Sequence, residues 1–199
     1  MKKFVTLSAT VAAVIALAGC STGSGGGSMP GMDHGSSGTS SSSAPAAAVD
    51  HNAADTMFAQ MMIPHHAQAV EMSDVMLKKP DIPASVTALA TKIKAAQGPE
   101  IEKMTGWLTS WNEPTTMPFG HSMDGMMGED DMTKLAAAQG TEAAKLFLTQ
   151  MIAHHEGAVS MARTESTEGK NPDAVQLGKD IVTSQKAEIQ EMKNLLATL

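Results

Sequence analysis

The sequence predicts an all-α protein, a four-helix bundle made of two repeated helical hairpins behind a disordered N-terminal tether. Three observations lead there. Between residues 51 and 199 apolar side chains recur at helical spacing, and no stretch alternates apolar and polar residues between turn signals as a strand would. One segment occurs twice, 89 residues apart: Met62-Ile63-Pro64-His65-His66-Ala67-Gln68-Ala69-Val70-Glu71-Met72, and Met151-Ile152-Ala153-His154-His155-Glu156-Gly157-Ala158-Val159-Ser160-Met161. Phe58 and Phe147 lead the two copies at the same offset, which marks an internal repeat. Residues 21–49 are mainly Ser, Gly, Ala and Pro, a composition that buries no core.

Each helix follows from its punctuation. The first starts near residues 51–55, where Asp50, Asn52 or Asp55 can cap it, and stops near Lys78 ahead of Pro80. Pro64 removes a backbone donor and frees the carbonyl of Gln60, so a kink is expected just before the histidine pair; Ala153 stands at the matching place. The second helix runs from residues 83–85 to about Trp111, with Val86, Leu89, Ile93, Gln97, Ile101, Met104 and Leu108 on one face. Asp131 is expected to cap a short helix reaching Gln139, Gly140 to break it, and Thr141 to cap the third long helix to about Thr164. The fourth runs from about Pro172 to Leu196 behind Asn171. Residues 51–112 then form the first hairpin, 113–140 a Met-rich connection and 141–199 the second hairpin.

Gln97, Glu100, Ile101 and Met104 match Gln185, Glu188, Ile189 and Met192 in the two hairpins. Glu100 and Glu188 fall off the apolar stripe and are expected to be solvated or rim carboxylates. Gln97 and Gln185 lie closer to the buried face and are expected to hydrogen-bond a histidine across the helix interface.

The N-terminus reads as an export signal over residues 1–19. Lys2 and Lys3 supply the charged start, Phe4 to Ala18 the apolar run, and Leu17-Ala18-Gly19-Cys20 a lipobox that directs lipid attachment to Cys20. The apolar run is shorter than the ~20 residues a spanning helix needs. The expected location is therefore the outer face of the cytoplasmic membrane or an equivalent envelope space, with residues 20–50 as the tether. Cys20 is the only cysteine, so no disulfide holds the fold. With 14 basic and 21 acidic residues the chain carries −7, and loss of Lys2 and Lys3 with the signal makes it more negative by two. An acidic balance argues against nucleic acid as a partner and suits the attraction of cations.

The chemistry lies in the repeated segment. About 100° per residue puts Met62, His65, Ala69, Met72 and Met76 on one stripe, with His66 about a quarter turn away, so one histidine of each pair is expected inside and the other at its border. Met62 precedes His65 by three positions and His66 by four, separations that place Cβ atoms about 5–6 Å apart, within reach of one ion. Met72 lies about 10 Å farther along the axis, so it serves a second site or the core. Met151, His154, His155 and Met161 repeat the set. Thioether with imidazole is a soft to borderline donor pair, which points to Cu(I) or Ag(I) and away from magnesium or calcium.

Two further Met/His clusters are auxiliary candidates: Met29, Met32 and His34 in the tether, and Met117, His121, Met123, Met126 and Met127 in the connection. Gly157, in the helix beside His154, costs about 1 kcal/mol relative to Ala and is expected to admit a close neighbour or ligand. Packing is the plain alternative for methionines at helical spacing, and a metal-free interaction module with pH-responsive histidines is the competing function. A di-iron or di-manganese enzyme would need Glu-x-x-His motifs, and no histidine here has Glu three positions before it.

The two Met-x-x-His-His segments, each followed by Ala-Val-x-Met and then by a Gln-x-x-Glu-Ile-x-x-Met helix, resemble the bacterial domain of unknown function 305 family over about residues 53–199. That resemblance implies a ferritin-like four-helix fold, export from the cytoplasm, and a link to copper binding and resistance. The expected protein is thus a non-enzymatic envelope lipoprotein that binds copper, or silver, for sequestration, transfer or tolerance. A copper-handling protein and a second copy of the chain are the macromolecular partners considered.

Overall fold

In a computed structural model, residues 50–117 and 123–199 are described. The signal and most of the tether, with Cys20, Met29, Met32 and His34, lie outside the described residues, as does His121 in the loop over 118–122. The described chain forms five helices: α1 (Ala53–Leu77), α2 (Ala84–Ser110), α3 (Glu129–Ala137), α4 (Gly140–Glu168) and α5 (Pro172–Leu196). Helices α1 and α2 pair as one hairpin and α4 and α5 as the other, and the hairpins join chiefly through α1 against α4. The fold class is all-α, as the periodicity requires. No described helix is long and apolar enough to cross a membrane.

Local chemistry sets the helix ends. Asn52 accepts hydrogen bonds from the backbone of Ala54 (2.9 Å) and Asp55 (3.1 Å), while Asp55 accepts from the Asn52 backbone at 2.6 Å, a reciprocal capping box. Asn171 caps α5 through the amides of Asp173 and Ala174, both at 3.1 Å. Pro64 does not break α1, which continues through it. Two expected starts move. Helix α3 begins at Glu129, because Glu129, Asp130 and Asp131 all sit favourably in the first turn at the positive helix end. Helix α4 begins at Gly140 with Gln139 before it, since glycine tolerates the φ of +52° with which the helix opens.

Two apolar clusters fill the bundle. Ala69, Met72 and Met76 of α1 pack with Phe147, Leu148 and Met151 of α4 in one cluster, together with Leu89 and Ile93 of α2 and Leu135 of α3. Phe58, Ala59 and Met62 of α1 pack with Ala158 and Ala162 of α4 in the other, together with Met104 and Leu108 of α2 and Leu177 and Ile181 of α5. The pairing of early α1 with late α4 makes these helices antiparallel. It also leaves the histidine pairs in the gap between the clusters, bounded by Met62 and Ala69 on α1 and by Met151 and Ala158 on α4.

One end of the bundle is fastened by Asp55. Its carboxylate accepts from the backbone of Lys170 (3.1 Å) and Asn171 (2.9 Å), tying the start of α1 to the turn between α4 and α5. Burial alone would raise its pKa, but the amides of Asn52 and Asn171, the Glu165 side chain and the Lys170 amide together hold it below the usual carboxylate value. Glu165, buried beside it, is pushed up to about 8 by desolvation and by the Asp55 charge. A protonated Glu165 can donate to Asp55, and a Cβ on Gly169 would run into the Glu165 carboxyl.

Candidate metal centre

All four motif histidines are fully buried. His65 on α1 meets His154 on α4, with ring centroids 3.7 Å apart and planes tilted by 40°. Their neighbours turn elsewhere: His66 Nε2 lies 2.6 Å from Glu100 Oε2 on α2, and His155 Nε2 lies 2.9 Å from Glu188 Oε2 on α5. The expectation that the second histidine of each pair would sit at the border is therefore corrected. A step of about 100° turns adjacent side chains toward different neighbours, and α1 and α4 each have one neighbour in the other hairpin and one in their own.

Glu100 and Glu188 also depart from expectation. Glu188 is 5% exposed, and neither acid is a free rim carboxylate because each engages a buried imidazole. An ionised carboxylate only accepts, so Nε2 of His66 and of His155 carries the proton and donates, and Nδ1 is the nitrogen left without a partner among the described residues. A carboxylate on one nitrogen is how proteins orient a metal-binding histidine and raise the basicity of the other. The expected hydrogen bonds from Gln97 and Gln185 to histidine do not form. Both polar atoms of the Gln97 amide are buried without a partner, as is Oε1 of Gln185.

Among the described residues six imidazole nitrogens in this layer make no hydrogen bond of ordinary length and angle: both of His65, both of His154, and Nδ1 of His66 and His155; the Asp124 backbone lies near enough to His65 to favour its proton without completing one. Leaving a buried polar atom unpaired costs about 1–3 kcal/mol, so the layer is held against its own preference by the packing around it. Burial pushes His65 down to about 3 and His154 down to about 2, with the neighbouring imidazoles adding to the effect and the Asp124 backbone opposing it at His65. Both rings are neutral in any ordinary buffer, the form in which imidazole binds metals.

The methionines take up three kinds of place. Met62 and Met151 are fully buried and flank the histidine layer from opposite clusters, one thioether from each hairpin. Met72 belongs to the cluster of Met151, and Met161 packs at the edge of the cluster of Met62. The connection lies across α4 at the level of His154. Gly125, at φ +83°, approaches so closely that a Cβ would fall 2.6 Å from the Ala153 carbonyl and 3.0 Å from that of His154. Gly157 admits it in turn, because a Cβ there would strike the Asp124 carbonyl. Gln68 grips Met127 by both backbone groups, at 2.7 and 2.9 Å. Met123, Met126 and Met127 are half-buried in this strap, and Met117 lies apart, in a groove beside His51.

Among the described residues no three His, Cys, Asp or Glu side chains gather into a coordination set. The donors that do gather in the layer are imidazole nitrogens with a buried thioether on either side, a soft to borderline set. Glu100 and Glu188 are the residues that sequence reasoning undervalued, and the signal for them was their shared register in both hairpins.

The arrangement defines a class: a helical bundle whose interior carries a layer of four buried histidines, two of them braced by carboxylates, between methionine-bearing clusters. Residues 55–196 match the family described as domain of unknown function (DUF305), and the chain belongs to that family. It is 34% identical to a DUF305 protein of Streptomyces coelicolor described as secreted, over 73% of this chain and 93% of that one, with a TM-score of 0.69. A DUF305 fragment from Deinococcus radiodurans is 30% identical over 74% of this chain and 98% of its own, also at 0.69. CopM in its Cu(I)-bound form is 34% identical over 72% of this chain and 96% of its own, at 0.61. CopM is also known in Cu(II)-bound and Ag-bound forms. No curated protein matches the chain.

Proposed function

We propose that this protein binds a soft metal ion, Cu(I) or Ag(I), in the histidine layer and holds it in the cell envelope for sequestration, transfer or copper tolerance. The observation that carries the proposal is the set of six buried imidazole nitrogens that make no hydrogen bond among the described residues. A metal-free interaction module would gain stability by replacing them with hydrocarbon, whereas a metal site requires them. The likeness to CopM, which has been crystallised with copper and silver, supports the same cargo.

In this proposal His65 and His154 are the primary ligands. Nδ1 of His66 and of His155 and the thioethers of Met62 and Met151 are available on either side, with Met72 and Met161 beyond them. The two inner rings lie close together with their planes tilted by 40°, so an ion shared by both requires one ring to turn until its nitrogen faces the ion. Glu100 and Glu188 fix the outer rings and supply negative charge near the cation. The strap over 123–128 shields the layer from water. Export through residues 1–19 and a lipid anchor on Cys20 would place the site outside the cytoplasm, in keeping with the secreted Streptomyces relative.

An anaerobic Cu(I) titration against a chromogenic chelator tests the proposal, repeated with H65A/H154A and with M62L/M151L. Loss of tight binding in the histidine variant is expected. Unchanged affinity in both variants would refute the assignment.

A further inference from the structure

A third histidine also faces a carboxylate, but at a longer range than His66 and His155 and without a hydrogen bond. His51 directs Nε2 toward Oε1 of Glu113 at 3.5 Å, and its Nδ1 is buried without a partner among the described residues. The ring is held flat against Trp111, with centroids 4.5 Å apart and planes 2° from parallel. It lines a groove of about 350 Å³ at the start of α1, shared with Met57 and Met117. Met57 is 51% exposed, one of two large apolar side chains so exposed among the described residues. Nothing in the packing requires a methionine there. Met117 is brought alongside by the chain after α2, which Gln60 holds to α1 through a 2.7 Å hydrogen bond to the Pro114 carbonyl.

We infer that His51, Met57 and Met117 form a second soft-metal site, at the surface, that takes Cu(I) or Ag(I) through one imidazole nitrogen and two thioethers. The donor set repeats the sulfur-and-nitrogen chemistry of the interior layer, but here the ligands line an open groove. Glu113 places a carboxylate 3.5 Å from the ring's other nitrogen, and the Trp111 face fixes the ring so that little ordering is left for binding. The long unbranched methionine side chains can close on an ion much smaller than the groove. An exposed site of this kind exchanges its ion readily with a partner, which the fully buried layer cannot do without opening. The inference shares the soft-metal chemistry of the histidine layer and none of its residues.

The test is silver titration of the full chain labelled with [13C]methyl methionine, with silver nitrate as the probe and bound silver counted by equilibrium dialysis. The Met57 and Met117 methyl signals are expected to shift together as silver is added. M57L/M117L is expected to bind one silver ion fewer than the unmodified chain, and H51Q to weaken the same event at least tenfold. Methyl signals of Met57 and Met117 that stay fixed at silver saturation, or an unchanged silver count in M57L/M117L, would overturn the inference. The methyl readout uses the unmodified chain and needs no variant to fold. H65A/H154A separates the two sites: a lost ion there with fixed Met57 and Met117 signals refutes only the surface site, whereas shifted signals with no ion lost in H65A/H154A refute only the interior one.

Discussion

Replacing His65 and His154 together with leucine is expected to make the metal-free protein more stable and to abolish its stabilisation by metal. The two rings hold four unpartnered nitrogens in a fully buried layer. At the low end of about 1 kcal/mol per atom these cost roughly 4 kcal/mol, which leucine removes while keeping a similar volume. The lost ring contact takes back about 0.5–1.5 kcal/mol, so a net gain of about 2.5–3.5 kcal/mol is expected. With a urea slope of about 1–3 kcal/mol per molar, the unfolding midpoint should rise by roughly 1–3 M in the presence of a chelator. Urea unfolding followed by helical circular dichroism, with and without saturating Ag(I), reads both effects. A metal-free variant less stable than the unmodified protein would show that the rings are satisfied core residues. A midpoint in the variant that still climbs on adding silver would remove the ion from this layer.

Three other perturbations test neighbouring parts of the structure. E188A leaves Nε2 of His155 buried without an acceptor and should lower metal affinity about 10–100-fold in a chelator competition, with E100A acting in the same direction at the less buried pair. G157A should destabilise the protein or lift the strap, seen as faster hydrogen exchange at residues 123–128, because its Cβ would strike the Asp124 carbonyl; without that contact alanine would stabilise α4 by about 1 kcal/mol, and such a gain would contradict the packing. Glu165 keeps a proton in the folded protein up to about 8 that the unfolded chain releases near 4.5, so its contribution is complete below 4.5 and lost as pH rises through 8. E165Q, which stays neutral and can still donate to Asp55, should therefore gain stability over the unmodified protein as pH is raised from 4.5 to 8 in thermal melts; a constant difference over that window would show that Glu165 is already ionised.

Helical content and the pairing of the two hairpins were legible in the sequence because they rest on local signals. The 3.6-residue period of the apolar stripes, the capping residues Asn52 and Asn171, and the twinned Met-x-x-His-His segments are all properties of short stretches. The start of α3 was misplaced by three residues because a run of three acids offers several caps, and the start of α4 because glycine can open a helix as well as end one. The sequence also named the histidines and methionines as candidate ligands and read their softness from composition alone.

Which nitrogen faces which neighbour was decided by the tertiary structure. One chain segment specifies how far His66 is rotated from His65, but not that α2 lies in that direction carrying Glu100, nor that α5 does the same for His155 with Glu188. The antiparallel crossing of α1 and α4 sets Met62 and Met151 on opposite sides of the imidazoles, and the strap brings Asp124 and Gly125 against His154 and Gly157. Those relations depend on burial and on contacts between residues far apart in the chain. Helical periodicity repeats every few residues and therefore fixes the direction of a side chain about its own axis, while only packing fixes what stands in that direction.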